Sequence, residues 1–481
     1  MPSIYLRTLV PAMIVFALAG CSADVPTADL TNVAGLPLQP ASGRVRICHQ
    51  PGYANSILEV GVSALPALLA HGDYITTFQV SHASQPTDPS RVTTIGDALA
   101  AARASRAAAA ETHSGACRIT ILAAASTYQG TTGSSSGMLE HFPLIVDMPD
   151  ITLHGQLVMM QDWSGQAVDG VESVLAPVDP LPVVDGVSTP IVIANAHSGA
   201  SAADGLVVEG FVFHSGHDPE VDAGGQGIFA LRASHLTIRG NRFEGGFTES
   251  IDLRAGSSDV IGNHLSGTAG TCDMCLAGPG TFLARDNVLL SGGIPGIAVS
   301  PTVRIPEPAG VEPYVLPEMA ETWANINGNV VRDHQRLPVG VGIRIDAVGV
   351  GAASVHGTVH ADIEENLIAN NRFGIIVHAA FPTATTDRRG DVDMTLDGNE
   401  FEGSCEANLL VAFARHTTVL GLANTPYLLN STFQLNLGQD LSWADVWYGH
   451  PAGFGNTLVV NGVVIDNGSR QSYNPAPCPA S

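Results

Sequence analysis

Five phrases set polar or charged side chains at one recurring spot: "QGIFALR" from Gln226, "ESIDLR" from Glu249, "PGIAVS" from Pro295, "VGIRID" from Val341 and "FGIIVH" from Phe373. The period-2 alternation of a strand turns Ile251 and Leu253 inward, and Asp252 and Arg254 outward. Matching the phrases by their last letters puts Arg232, Arg254, Ser300, Asp346 and His378 in one outward column. Arg344 stands beside Asp346 as Asp252 stands beside Arg254. Guanidinium and carboxylate groups so arranged can hold the hydroxyls or carboxylates of a ligand, and a carboxylate or imidazole can transfer protons. The bland alternative is a solvated ladder of salt bridges. An outward Arg254 predicts that Arg254→Ala weakens ligand binding and leaves melting nearly unchanged.

A second candidate is "GHDPEVDAGGQG" from Gly216, where Asp218, Glu220 and Asp222 offer oxygen ligands for Ca²⁺. The spacing is loose, and His214 and His217 beside it read equally well as solvent-facing turn residues. No cofactor is required by anything else in the chain; Ca²⁺ is the one ion suggested.

These spots need elements to hold them, and the elements repeat. "LTIRGNRFEGG", "SDVIGNHLSG", "ANINGNVVR", "ADIEENLIANN" and "DMTLDGNEFEG" are copies of one phrase. The asparagines at 241, 263, 287, 329, 366 and 399 are spaced 22, 24, 42, 37 and 33 residues apart. The two short gaps are single coils of a solenoid, and the longer ones carry inserts such as the Pro-rich 301–322. With the "GI" phrases between them, each coil has at least two strands. In such a stack every strand pairs with its equivalent about 4.8 Å above and below. The same turn recurs in every coil, where Gly and Asn tolerate unusual backbone and Asn also bonds nearby backbone. Asn241, Asn263, Asn287, Asn329, Asn366 and Asn399 are therefore expected to stack as an amide ladder, a structural role. Ile238 and Phe243 should point into a continuous core.

Composition agrees with short strands and tight turns: 52 glycines in 481 residues, 6% aromatics and 14% charged residues. The formal charge is −24, and no lysine occurs. An acidic surface repels phosphate backbones, so no nucleic-acid partner is expected, and an anionic glycan would need a bridging cation.

The first twenty residues read as a targeting segment: Arg7, then the apolar run Leu9–Ala19, too short to span a bilayer. Leu18-Ala19-Gly20-Cys21 resembles the lipobox of bacterial lipoproteins. That resemblance implies cleavage before Cys21 and its acylation, and Ser22 points to the outer membrane. Six further cysteines remain: Cys48, Cys117, Cys272, Cys275, Cys405 and Cys478. An even count in an exported protein suggests disulfides; six cysteines allow fifteen connectivities that the sequence does not separate, and the one that pairs neighbours is Cys48–Cys117, Cys272–Cys275 and Cys405–Cys478. The expected organisation is a leader at 1–20, a tether at 21–43, a small module at 44–82, a solenoid at 91–470 and a tail at 471–481. The module resembles a short unit of exported bacterial proteins through Cys48, His49, His71, Gly72 and Asp73. Leu69 replaces a histidine of that pattern, which weakens a metal-site reading.

From Arg91 onward the order of a capped helix, "CRITILAAASTYQG" and "FPLIVDMPDITLHG" resembles right-handed parallel β-helices of the pectin-lyase-like superfamily, DUF1565 type. Thr94, Ile95, Ala98, Leu99, Ile121, Thr127, Tyr128, Phe142, Pro143, Leu144, Leu153 and Gly155 carry the match. The resemblance implies an all-β solenoid with an N-terminal capping helix and, through the superfamily, a carbohydrate partner. A chain without lysine lacks the Lys–Arg pair of alginate-type lyases, and the polygalacturonase motifs are absent. Three functions stay open. The chain is a lipid-anchored monomer binding a glycan or cell-envelope polymer along its outward strip. Alternatively it is a polysaccharide lyase using Arg232 or Arg254 with Asp252. The third reading is a purely structural or adhesive surface protein.

Overall fold

Buried asparagines organise the chain. The computed structural model describes residues 43–49, 56–81, 88–110, 117–130, 138–157, 172–177, 183–184, 187–188, 190–194, 203–215, 224–268, 270–290, 295–301, 319–335, 340–346, 356–378, 390–404, 407–412, 432–435, 446–449, 457–460 and 463–465. All of them fall within one compact unit, Pro40–Ser481. Through it runs a file in which each asparagine's Oδ1 accepts from the backbone N–H and the Nδ2 of the asparagine one coil earlier. The links run Asn241–Asn263–Asn287–Asn329–Asn366–Asn399, with N···O distances of 2.9–3.1 Å.

The turn's unusual backbone belongs to the residue before each asparagine. Gly240, Gly262, Gly328 and Gly398 have φ of 58°, 62°, 65° and 63°, while Asp286 and Glu365 adopt 56° and 55° in the same place. Glycine enters that left-handed region freely and other residues at a cost, which explains "GN" as the commoner spelling.

Each central coil contributes strands to three faces. The first is the "GI" face, exemplified by Val341–Asp346 and Phe373–His378. The second precedes the asparagine and includes Met319–Asn327 and His356–Glu364. The third follows the asparagine and consists of short strands such as Arg242–Glu244, Val288–Leu290 and Val330–Arg332, joined in a ten-stranded sheet. In the coils where first and second faces are continuous, the strands Gln226–Arg239, Glu249–Ile261 and Cys272–Arg285 run through the bend between them. From coil to coil the pairing is parallel, so the chain is a parallel β-helix; the short pairs Val183–Val184 with Val187–Ser188 and Thr457–Val460 with Val463–Ile465 are antiparallel.

Inward residues make vertical files. Ile228, Ile251, Met274, Ile297, Ile343, Ile375 and Leu409 are level in successive coils and all fully buried. Leu153, Val208, Ile238, Val260, Ala284, Ile326, Ile363 and Leu396 form the file of the second face. On the third, Phe213 stacks on Phe243 with ring centroids 4.6 Å apart. Burying each large aliphatic side chain contributes ~1.5–3 kcal/mol.

The N-terminal end is closed by the helix Ile95–Ala110, whose Ile95, Ala98, Leu99 and Ala102 join the core. Thr94 caps it, its Oγ1 accepting from Asp97 N–H at 2.8 Å. The buried Glu140 carboxylate accepts from Ile95 and Gly96 N–H at 2.6 and 3.1 Å, an anion placed at a helix N-terminus. The 44–82 segment forms a three-stranded antiparallel sheet of Arg44–His49, Ser56–Gly61 and Tyr74–Ile75. Val45, Ile47, Leu65 and Tyr74 belong to the same core as the coils, and Cys48–Cys117 bonds the sheet to the first of them.

Candidate functional site

The outer side of the first face carries most of the charged candidates, in two adjacent columns. One reads Phe229, Asp252, Cys275, Ala298, Arg344 and Ile376; the other reads Leu231, Arg254, Ala277 and Ser300. Asp346 continues the second column, since Val299 and Ile345 before them are level, and His378 is level with Asp346 in the backbone register. Arg232 is not in this column. Ile228 is level with Ile251, so Leu231 matches Arg254, and Arg232 falls with Ala255 at the bend, both with left-handed φ (55° and 58°). "QGIFALR" is one residue longer than "ESIDLR", and matching them on arginine slipped the register by one.

Two ion pairs of opposite order result. Arg254 donates from Nη2 and Nε to Asp252 Oδ2 at 2.7 and 3.0 Å, and its guanidinium lies 4.9 Å from the centroid of the Phe229 ring. Three coils further, roughly 14 Å away along the stack, Arg344 Nε lies 3.1 Å from Asp346 Oδ2. In the second pair the arginine occupies the aspartate's column. Between the pairs lies a floor of small residues: Cys275, Ala277, Ala298 and Ser300. With Thr271 they line a cavity of about 30 Å³. At ~10–15 Å³ per water, that is room for two waters or one ligand substituent.

The pairs are not solvated. Arg254, Asp252, Asp346 and Arg344 are only 1%, 2%, 1% and 5% exposed. This corrects the expectation of an open strip and, with it, of a thermally silent Arg254→Ala. Alternation assigns a residue to a side of a strand; it carries no information on whether that side meets water.

A carboxyl group that alternation did not single out completes the set. Glu249, buried, accepts from Gln226 Nε2 at 2.9 Å and from Thr271 Oγ1 at 2.5 Å. Burial first, and then the neighbouring Asp252 carboxylate, push its pKa up to about 7. Glu249 and Asp252 interact electrostatically although they are three residues apart, a spacing that strict alternation assigns to opposite sides; Ser250 between them meets Thr268 Oγ1 at 2.9 Å. The Cys272–Cys275 disulfide spans the level positions one coil on, the same i to i+3 relation.

The raised pKa has a stability consequence. Between about 4.5 and 7 the folded chain keeps a proton that the unfolded chain releases. Stability from this group is complete below pH 4.5 and is lost as pH rises through 7. The full effect is on the order of 3 kcal/mol. Glu249→Gln, which still offers an oxygen to Gln226 and an N–H to Thr271, should be stabilised relative to wild type at pH 8 and not at pH 4.5. Denaturant midpoints at the two pH values measure this; parallel responses of the two proteins would show that Glu249 ionises as an ordinary surface carboxylate.

A second buried polar group lies within the coils. His334 Nε2 is 2.9 Å from Asp273 Oδ2, and its Nδ1 and backbone N lie 3.1 and 3.0 Å from Asn371 Oδ1. All three residues are fully buried, at a level where Gly296 leaves room for the imidazole. In the 44–82 segment, His49 Nδ1 contacts Asp73 at 3.0 Å, with Cys48 taken up in its disulfide. Among the described residues no three His, Cys, Asp or Glu side chains cluster as metal ligands. The two described disulfides pair as neighbours, Cys48–Cys117 and Cys272–Cys275. Cys21, Asp218, Glu220, Asp222, Cys405 and Cys478 lie outside the described residues.

No known protein family matches the chain, and no curated protein does. Solved structures similar to it include DFA-IIIase from Arthrobacter chlorophenolicus, 12% identical over 80% of this chain and 93% of that one, TM-score 0.41. The mannuronan C-5 epimerase AlgE4 A-module of Azotobacter vinelandii is 11% identical over 76% and 89%, TM-score 0.36. The catalytic unit of a GH87 α-1,3-glucanase from Streptomyces thermodiastaticus is 14% identical over 83% and 71%, TM-score 0.33. The class of this protein, a parallel β-helix, is defined by its own stacked register.

Proposed function

We propose that this chain is a lipid-anchored protein of the bacterial cell envelope, acylated at Cys21 and monomeric, that binds a glycan against the outer side of its first face. One observation carries the reading: two Asp–Arg pairs of opposite order bracket a small-residue floor and a cavity sized for a single substituent. A hydroxyl or carboxyl group projecting from a sugar fits that volume; a whole ring does not. Arg254 and Arg344 offer donors to such a group and Asp252 and Asp346 offer acceptors.

A second reading, polysaccharide lyase chemistry, is favoured by Glu249. A carboxyl group with a pKa of about 7 is suited to take a proton near neutral pH, and Arg254 is placed to neutralise negative charge developing beside it. In that reading Asp218, Glu220 and Asp222 supply oxygen ligands for Ca²⁺, which would bridge an acidic protein to an acidic glycan.

The two readings part in one experiment. The protein is incubated with a panel of soluble polysaccharides, with and without Ca²⁺, while ultraviolet absorbance follows unsaturated products and affinity electrophoresis follows binding. Retardation without absorbance change is the expected result. Rising absorbance that Glu249→Gln abolishes would establish the lyase instead, and no retardation by any glycan would end both readings.

A further inference from the structure

The outer side of the second face presents a feature that the first-face site does not use. Trp323, on the strand Met319–Asn327, is 49% exposed, although apart from the partly buried Leu283 the residues level with it or beside it on that side are small or polar: Ser257, Thr281, Asn325, Asp362 and Asp393. An exposed apolar side chain alone decides nothing. This one is held in place. His360, level with it one coil on, stacks on the indole with ring centroids 3.8 Å apart and planes 14° from parallel. His360 Nδ1 in turn lies 3.3 Å from Asp393 Oδ2 in the following coil.

Two stacked rings one coil apart each keep one outer face. The imidazole's is on the Asp393 side. The indole's is on the side of Thr281, a small exposed residue level with Trp323 in the preceding coil. A flat apolar surface thus stands beside Asn325, two residues further along the same strand and exposed, and next to Leu283, which is level with Asn325 in the preceding coil. Two residues of strand is about 6.6 Å, the scale of a sugar ring.

We infer that Trp323 and His360 form a stacking platform for a sugar ring of a neutral glycan. The apolar C–H face of the ring lies on the indole, and its hydroxyls bond the side-chain amide of Asn325. Neutrality follows from the surroundings: Glu321, Asp362 and Asp393 are exposed carboxylates on a chain of formal charge −24, and they repel a uronate. Pre-stacking on His360 means that little side-chain freedom is lost on binding. The platform shares with the proposed function only the ligand class; its residues are different.

Affinity electrophoresis in gels containing hydroxyethylcellulose, a soluble β-1,3-glucan, xylan or alginate tests it, using wild type, Trp323→Ala, Trp323→Phe and Arg344→Ala. At least one neutral polymer should retard the wild type. Trp323→Ala should weaken that binding about tenfold or more, with part of the loss restored by Trp323→Phe. Melting of Trp323→Ala should stay within about 2 °C of wild type, since the side chain is half exposed. The wild-type minus Trp323→Phe emission spectrum isolates one indole of the four, and the same polymer should shift it. Retardation by alginate alone, or neutral binding equal in wild type and Trp323→Ala, overturns the platform. Binding lost in Arg344→Ala but kept in Trp323→Ala would overturn it while leaving the first-face site standing; no retardation by any polymer would remove both.

Discussion

Arg254→Ala is expected to lose ~3–5 kcal/mol of stability, because it leaves a buried carboxylate without its cation. Asp252 is 2% exposed and receives both the Nε and Nη2 hydrogens of Arg254, and Glu249 lies buried beside it. Removing the guanidinium also strips the contact over Phe229. The charge account makes a sharper claim than destabilisation alone. Adding Asp252→Asn to Arg254→Ala removes the orphaned charge, so the double variant should be more stable than Arg254→Ala by ~1–3 kcal/mol. Arg46→Ala supplies the comparison: its partner Glu59 is 2.9 Å away, but the side chains are 50% and 40% exposed, and the loss should stay below ~1 kcal/mol. Denaturant midpoints for the four proteins measure these differences. If Arg254→Ala and Arg46→Ala cost the same, the first-face pairs are solvated and their burial plays no part.

That contrast marks what the letters alone can carry. The coil period and the asparagine file were readable because each ladder residue repeats its own type at the same turn, and a turn shared by every coil admits few side chains. Third-face strands such as Arg242–Glu244 and Val288–Leu290 were not readable, since three residues are too few to display an alternation. Arg232 was misplaced because two phrases of unequal length were matched on their arginines, when the inward Ile228 and Ile251 set the true register. Glu249 escaped notice because it stands three residues before Asp252, where strict alternation assigns it to the other side of the strand. Trp323 and His360 became partners only through a coil whose insert hides their correspondence. Burial of the Asp–Arg pairs depends on what covers a face, which periodicity within a strand does not encode.

The ladder itself sets the other large expectation. Asn287 is fully buried, and its side chain serves both neighbouring coils. Its Oδ1 accepts from the backbone N–H and Nδ2 of Asn263 at 2.9 and 3.0 Å, while its Nδ2 donates to Val260 O and Asn329 Oδ1 at 2.8 and 2.9 Å. Asn287→Ala therefore leaves two donors and a carbonyl short of partners where water does not reach, besides opening a void. Each buried group left unsatisfied costs ~1–3 kcal/mol, so the total should reach ~3–5 kcal/mol. Asn399, the last of the file among the described residues, is half-buried; its Oδ1 accepts from Asn366 N–H and Nδ2 at 3.1 and 2.9 Å, and its Nδ2 bonds Ile363 O and Asp397 O at 2.7 and 3.2 Å. Water can replace part of what Asn399→Ala removes, so that variant should lose only ~1–2 kcal/mol. A hydrophobic-only account of the coils predicts the reverse emphasis: both asparagines would be dispensable and Ile297→Ala, in the inward file, would dominate. Equal, small losses for Asn287→Ala and Asn399→Ala in denaturant titrations would favour that account. A loss at Asn287 comparable with that of Ile297→Ala, ~2–5 kcal/mol, would instead show that the amide file is as necessary to the stack as its apolar core.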